Sequence, residues 1–329
     1  MKMRTATRAK RSTSGTQVPF GAIGLGALAV GAVAFGALVI RALAVKRGKI
    51  GRRDIEDGGV RMKRDVREGM LKRELPYLSF GHGPPLIVFP GLGMTNANPA
   101  GFQRWGEVRL LAPLARAFTV YRVGRRVGME PGTTMTDLAN DYAKALEDEF
   151  GGQLDVLGIS TGGSLALQLA ADRPGLVRKL VVAGAAYRLS EHGREFQRTM
   201  AELAAAGDRR RISQAQAPDV ADSRLGRRIA GGLLWLAGPL FIKRDWDPSD
   251  MIATIMAEDA FDIGERLGEI SAPTLVIGGG RDRFYPPELF KETAERIPNA
   301  RLVLYKNRAH GGTFADRRFA RDVNAFFTE

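Results

Sequence analysis

The run Leu154-Asp155-Val156-Leu157-Gly158-Ile159-Ser160-Thr161-Gly162-Gly163-Ser164 decides how this chain is read. An apolar, strand-like stretch ends at Gly158, and residues 165–171, Leu-Ala-Leu-Gln-Leu-Ala-Ala, follow as strong helix formers. Between them stands Gly-Ile-Ser-Thr-Gly, the G-x-S-x-G pattern of a serine on a tight strand-to-helix turn. The spacing has a steric cause. A turn sharp enough to expose Oγ leaves no room for side chains two residues to either side, so both positions become glycine. The start of the following helix then carries backbone N–H groups, that of Thr161 among them, to where a negative oxygen can be held.

Working outward, strand and helix signals alternate at short intervals. Strands are expected at 75–80, 86–89, 118–123, 178–183, 273–278 and 301–305, besides the one that ends at the serine. Helices are expected at 107–117, 135–150 with Asp137 near its start, 162–173, 287–297 and 314–327. This rhythm specifies an α/β fold with a mostly parallel sheet, right-handed crossovers and helices on both faces. Residues 46–73 read as a charged linker that contributes a first edge strand. The rhythm breaks from 186 to 264, which has no β pattern and reads as a helical cap over the sheet. Its apolar run at 229–242 is too short to span a bilayer comfortably. Trp235, Phe241 and Trp246 in this insertion are candidates either to line an apolar pocket or to seat the cap on the core. The core is therefore expected at 74–185 and 265–329.

The charge of +13 is unevenly spread. Residues 1–75 hold 17 Lys/Arg against 6 Asp/Glu, and the remaining chain holds 32 against 30. The body is nearly neutral, which argues against a nucleic-acid partner. The basic excess instead flanks 18–40, 23 residues without a charge. A bilayer core of about 30 Å needs roughly 20 apolar residues in a helix. Residues 18–45 are thus expected to form a single-pass membrane anchor behind a basic tail at 1–17. A cleaved signal peptide is the alternative, with Ala42-Leu43-Ala44 as the cleavage site and a secreted product. Basic residues on both sides leave the orientation open. There are no cysteines, so disulfides, thiolate metal sites and a cysteine nucleophile are excluded. No metal-ligand cluster, phosphate loop or dinucleotide fingerprint is present, and no cofactor is expected.

A serine hydroxyl needs a base within hydrogen-bond reach, and an imidazole base needs a carboxylate to fix its tautomer. Ser160, Asp282 and His310 each fall just after an expected parallel strand, which brings all three to one edge of the sheet. His82 reads as a turn residue and His192 as a surface residue of the insertion. From about residue 74 to its end the chain resembles the α/β-hydrolase superfamily. The matching motifs are Phe89-Pro-Gly-Leu-Gly93, Gly158-Ile-Ser-Thr-Gly162, Gly280-Arg-Asp-Arg283 and Arg308-Ala-His-Gly311, in that order.

The resemblance implies Ser160 as nucleophile, His310 as general base and then acid, and Asp282 as orienting carboxylate. It also implies an oxyanion hole from the backbone N–H groups of Leu92 and Thr161. Relatives often have His-Gly at Pro90-Gly91, His at Ile159, and an Asp-x-Arg-Gly turn where this chain has Tyr121-Arg-Val-Gly-Arg125. A serine at the elbow argues against relatives that use a carboxylate nucleophile. The expected function is a membrane-anchored serine hydrolase of carboxylic esters, esterase- or lipase-like, acting on a small and lipophilic substrate. A non-catalytic ligand-binding protein of the same fold is one alternative. Carbon–carbon cleavage, acyl transfer or perhydrolysis by the same serine is another.

Overall fold

The computed structural model describes residues 66–217, 224–242 and 244–329. Eight strands form one sheet: β1 (Arg67–Leu71), β2 (Leu75–Gly81), β3 (Pro85–Phe89), β4 (Thr119–Val123), β5 (Leu154–Ile159), β6 (Val177–Ala183), β7 (Thr274–Gly279) and β8 (Ala300–Tyr305). Their spatial order is β1-β2-β4-β3-β5-β6-β7-β8. The β1–β2 and β2–β4 pairs are antiparallel, and every other pair is parallel. The edge strand expected in the linker is β1. The expected anchor at 18–45 lies outside the described residues. Among the described residues no helix is long and apolar enough to cross a membrane.

The central parallel strands are mostly apolar because both faces of the sheet are covered. Ile87, Phe89, Val156, Leu180 and Val182 face one core cluster, which includes Leu138 and Leu146 of α2 (Met135–Phe150) and Leu165 and Leu169 of α3 (Thr161–Asp172). Leu86, Val88, Leu157, Val181 and Ala183 face the other. There they meet Val108 and Leu111 of α1 (Gly101–Leu111) and Val323 and Phe326 of α10 (Phe319–Thr328). The alternation is the two-residue period of the pleat. Helix α2 has the expected bounds. Thr134 and Asp137 form a reciprocal capping box at its start, and Gly151 at φ +66° closes it.

Two helices differ from expectation. The one expected at 107–117 begins at Gly101 and ends at Leu111, followed by a separate 3₁₀ turn at Leu114–Arg116. Pro113 explains the break, because it has no N–H with which to continue the helix's hydrogen-bond ladder. The closing helix, expected from 314, is α10 and begins only at Phe319. The short α9 (His310–Phe314) precedes it, and between them Asp316 accepts from the backbone N–H of Arg318 at 3.0 Å.

Between β6 and β7 lie α4 (Glu191–Ala205), α5 (Arg209–Ala215), α6 (Arg224–Phe241) and α7 (Ser249–Asp259). Helix α8 (Pro287–Arg296) follows β7. The start of α7 is tied to the core by a buried carboxylate. Asp250 Oδ1 accepts from the N–H groups of Gly128 and Met129 at 2.9 and 2.8 Å. Replacing Asp250 by Ala strands both donors. At about 1–3 kcal/mol for a buried group left unsatisfied, the variant should unfold at a clearly lower temperature, as read by circular dichroism. An unchanged midpoint would mean that α7 is held by its apolar contacts alone.

Candidate active site

Ser160 alone makes the turn between β5 and α3, with φ +52° and ψ −126°. A non-glycine residue in this region costs on the order of 1–3 kcal/mol and persists only when its surroundings over-determine it. Here they do. Ser160 N donates to the Ala183 carbonyl at 2.8 Å, and the Ser160 carbonyl accepts from Gly163 N at 2.6 Å. A Cβ on Gly158 would collide with the Gly162 carbonyl, and one on Gly162 with the Phe89 carbonyl. The flanking glycines are therefore required by the approach of three backbones.

Ser160 Oγ lies 2.9 Å from His310 Nε2, and His310 Nδ1 lies 2.7 Å from Asp282 Oδ2. The second carboxylate oxygen, Oδ1, accepts from the N–H groups of Phe284 and Tyr285 at 2.9 and 3.1 Å. A carboxylate oxygen only accepts, so this geometry puts the imidazole proton on Nδ1 and leaves Nε2 facing the serine hydroxyl. The imidazole is packed among Phe284, Tyr285 and Phe314, with ring centroids 4.9, 5.9 and 5.6 Å away. Such a chain of hydroxyl, imidazole and carboxylate can activate an oxygen nucleophile. His82 is exposed in the β2–β3 turn. His192 is half-buried on α4 rather than fully on the surface, and its ring sits against Phe284 at 6.2 Å.

The loop at 90–93 packs against the serine. A Cβ on Gly91 would lie 3.3 Å from Ser160 Cβ. Buried Arg125 holds this loop, donating to the carbonyls of Pro90 and Gly91 at 3.2 and 2.8 Å and to Asn96 Oδ1 at 3.3 Å. Burial lowers its pKa from the ordinary guanidinium value. In a trans peptide the N–H points opposite to the carbonyl. Binding of the Gly91 carbonyl by Arg125 thus turns the N–H of Leu92 away from the guanidinium. Arg125 stands in the turn where the sequence departs from its relatives.

A cavity of about 340 Å³ opens at Ser160. Leu92, Leu110, Leu111, Phe314 and Phe319 give it apolar walls, and the Glu107–Arg122 ion pair, at 2.6 Å, interrupts them. Among the described residues none of the insertion lines this cavity, which corrects the pocket-lining alternative for the two tryptophans. Trp235 is exposed beneath the Arg210 guanidinium, 4.4 Å from its ring centroid. Trp246 donates from Nε1 to the Met94 carbonyl at 2.7 Å, so it seats the insertion on the loop after Gly93. The side chain of Phe241 lies outside the described residues.

Glu258, near the end of α7, has no counterpart in the sequence reading. It is fully buried and accepts from Thr161 Oγ1 at 2.7 Å, Gln197 Nε2 and Tyr285 OH at 2.8 Å, and Ser164 Oγ at 3.0 Å. Burial and the neighbouring Glu258 raise the Tyr285 pKa well above the phenol value, so Tyr285 stays a donor. The carboxylate thus joins the two residue types flanking the serine site, the elbow helix and the segment after Asp282. Asp250, Thr254 and Glu258 are spaced i, i+4 and i+8 on one face of a largely apolar helix. That spacing is the signal by which the sequence could have shown a buried polar seam.

A profile of the Alpha/beta hydrolase family matches residues 86–322. The chain belongs to this family. Among the relatives of this α/β hydrolase is a protein of Azorhizobium caulinodans named as a carbamate hydrolase, RutD, 27% identical over 72% of this chain and 88% of that protein. Another is a 2-hydroxy-6-oxononadienedioate/2-hydroxy-6-oxononatrienedioate hydrolase of Pseudomonas putida, 25% identical over 78% of this chain and 92% of that one. The crystal structure of MGS-M2, an alpha/beta hydrolase enzyme from a deep-sea metagenome library, superposes with a TM-score of 0.65. It covers 78% of this chain and 95% of its own, and at 23% identity the likeness is one of fold.

Two substitutions probe this hydrolase site. Ser160→Gly should unfold at a higher temperature than Ser160→Ala, since glycine occupies φ +52° without strain. Equal midpoints would mean that the turn stores no strain. Glu258→Ala leaves four buried donors without their acceptor and should lower the midpoint by several degrees in a thermal scan. A midpoint within error of the parent would show that the network contributes nothing to stability.

Proposed function

We propose that this α/β hydrolase cleaves carboxylic esters with an apolar acyl part through an acyl-enzyme on Ser160, and that residues 18–45 hold it to a membrane. The observation that carries the reading is the Ser160–His310–Asp282 chain opening onto an apolar cavity. Ser160 Oγ attacks the ester carbonyl as its proton passes to His310 Nε2, and Asp282 holds Nδ1–H and stabilises the imidazolium. The backbone N–H groups of Thr161 and Leu92 receive the oxyanion, Thr161 at the helix start and Leu92 on the loop that Arg125 holds. His310 then protonates the leaving alcohol, and water, activated by the same imidazole, releases the acid. The apolar walls suit the acyl chain, and the Glu107–Arg122 pair limits how far that chain extends before it desolvates charge.

The names of the relatives include a carbamate hydrolase and a hydrolase of an oxo-dienedioate, so ester cleavage is one of several reactions such residues support. A fluorophosphonate should label Ser160, and Ser160→Ala should abolish both labelling and hydrolysis of short esters. Asp282→Asn should keep the fold and lower kcat by about 10⁴, the loss seen when an imidazole is held in the wrong tautomer. Labelling without turnover of any ester, amide or carbamate would favour a ligand-binding role, and labelling that survives Ser160→Ala would place the nucleophile elsewhere. Full-length protein should remain with membranes through high salt and alkaline carbonate. Recovery of a soluble form shortened near Ala44 would instead show signal cleavage and secretion.

A further inference from the structure

Helix α6 is apolar on two opposite sides, and the structure covers only one. Ala230, Gly231, Leu234 and Gly238 face inward, where Gly231 meets Ala217 and Gly238 lies against the backbone of Arg209 in α5. The other side carries Leu225, Ile229, Leu233, Leu236 and Leu240, spaced by three or four residues and all exposed, Leu240 at 84%. Their spacing puts the five on a single stripe less than a third of a turn wide. Large exposed apolar patches mark interaction sites, because water is a poor neighbour for them.

The residues beside the stripe indicate what covers it. Neither α5 nor α6 contains an acidic residue. Arg228 is exposed on α6 at the edge of the stripe, and Arg210 of α5 lies over the ring of Trp235 and donates to its carbonyl at 3.2 Å. An apolar ridge with arginines and an amphipathic indole on its flank is the composition of a helix lying in a lipid–water interface. A stable protein contact takes about 20–30 residues a side, far more than one narrow convex ridge supplies. The inner end of this hairpin belongs to the site's own surroundings, since Ile212 of α5 and Ile242 share an apolar cluster with Leu92 and Met94.

We infer that the outer face of α6 docks onto an anionic lipid surface, with Leu236 and Leu240 entering the acyl boundary and Arg228 and Arg210, on the flank, meeting the headgroups. This contact is separate from the proposed anchor at 18–45 and from the ester reading, so it stands or fails independently of both.

The chain has no cysteine, so single labels report without background. The full chain carrying Leu236→Cys or Leu240→Cys is coupled to an environment-sensitive dye and added to phosphatidylcholine vesicles with or without phosphatidylglycerol. Glu149→Cys is the control, because Glu149 is exposed at the end of α2 beside the start of β5, away from the insertion. Labels at 236 and 240 are expected to shift to the blue and be quenched by a lipid-borne quencher, more with phosphatidylglycerol, while the label at 149 does neither. Arg228→Glu should reduce the quenching on anionic vesicles. No quenching at 236 and 240 overturns the inference, and equal quenching on both vesicle types overturns its anionic part. Blue emission already present without vesicles overturns it as well, by showing the stripe covered by residues 1–65 or a second copy.

Discussion

The structure depends on the backbone of one residue. Ser160 is held at positive φ where β5 ends, β3 passes and α3 begins, with glycine on both sides because the neighbouring carbonyls leave no space for a Cβ. That conformation points Oγ away from the sheet, toward the segments that follow β7 and β8. Parallel order then makes the rest of the site compact, since β5, β7 and β8 all run toward the same edge. Asp282 and His310 reach that edge from loops, so their placement inherits the rigidity of the strands before them.

Polar bonds, more than apolar contact, fix the insertion relative to this edge. Asp250 and Glu258 lie two turns apart on α7 and both are buried, one on the turn at 128–129 and the other on the elbow helix. Apolar surfaces tolerate sliding, whereas hydrogen bonds to buried carboxylates have direction and lose their partners when displaced. Trp246 makes a third such bond to the loop after Gly93. The inner helices of the insertion therefore hold the serine's surroundings in place, while the outer hairpin of α5 and α6 faces away from the cavity.

Among the described residues the cavity takes no wall from the insertion, which instead steadies the elbow helix and the loop after Gly93. Its walls come from α1, the loop at 90–93 and the segment from Gly311 to Ala320, all of the sheet-covering core. The apolar surface of α6 is thereby free of any role in that cavity.

Much of this was legible in the chain itself. Strand period, apolar run length and the glycines around Ser160 determined a parallel α/β sheet, because backbone sterics and burial act locally and leave a local pattern. The order of Ser160, Asp282 and His310 after successive strands likewise marked the residues that the fold brings within 2.9 Å of one another. The end of α1 at Leu111 and the start of α10 at Phe319 differ from the sequence reading because a proline and the Asp316 side chain interrupt the helical pattern locally. Glu258 and Arg125 were not legible as site residues at all. A buried charge looks like any surface charge in sequence, and only the tertiary structure decides which partners surround it. The same holds for Trp235 and Trp246. Their composition announced burial or contact, but three-dimensional packing alone put one outside on α6 and the other against the Met94 carbonyl.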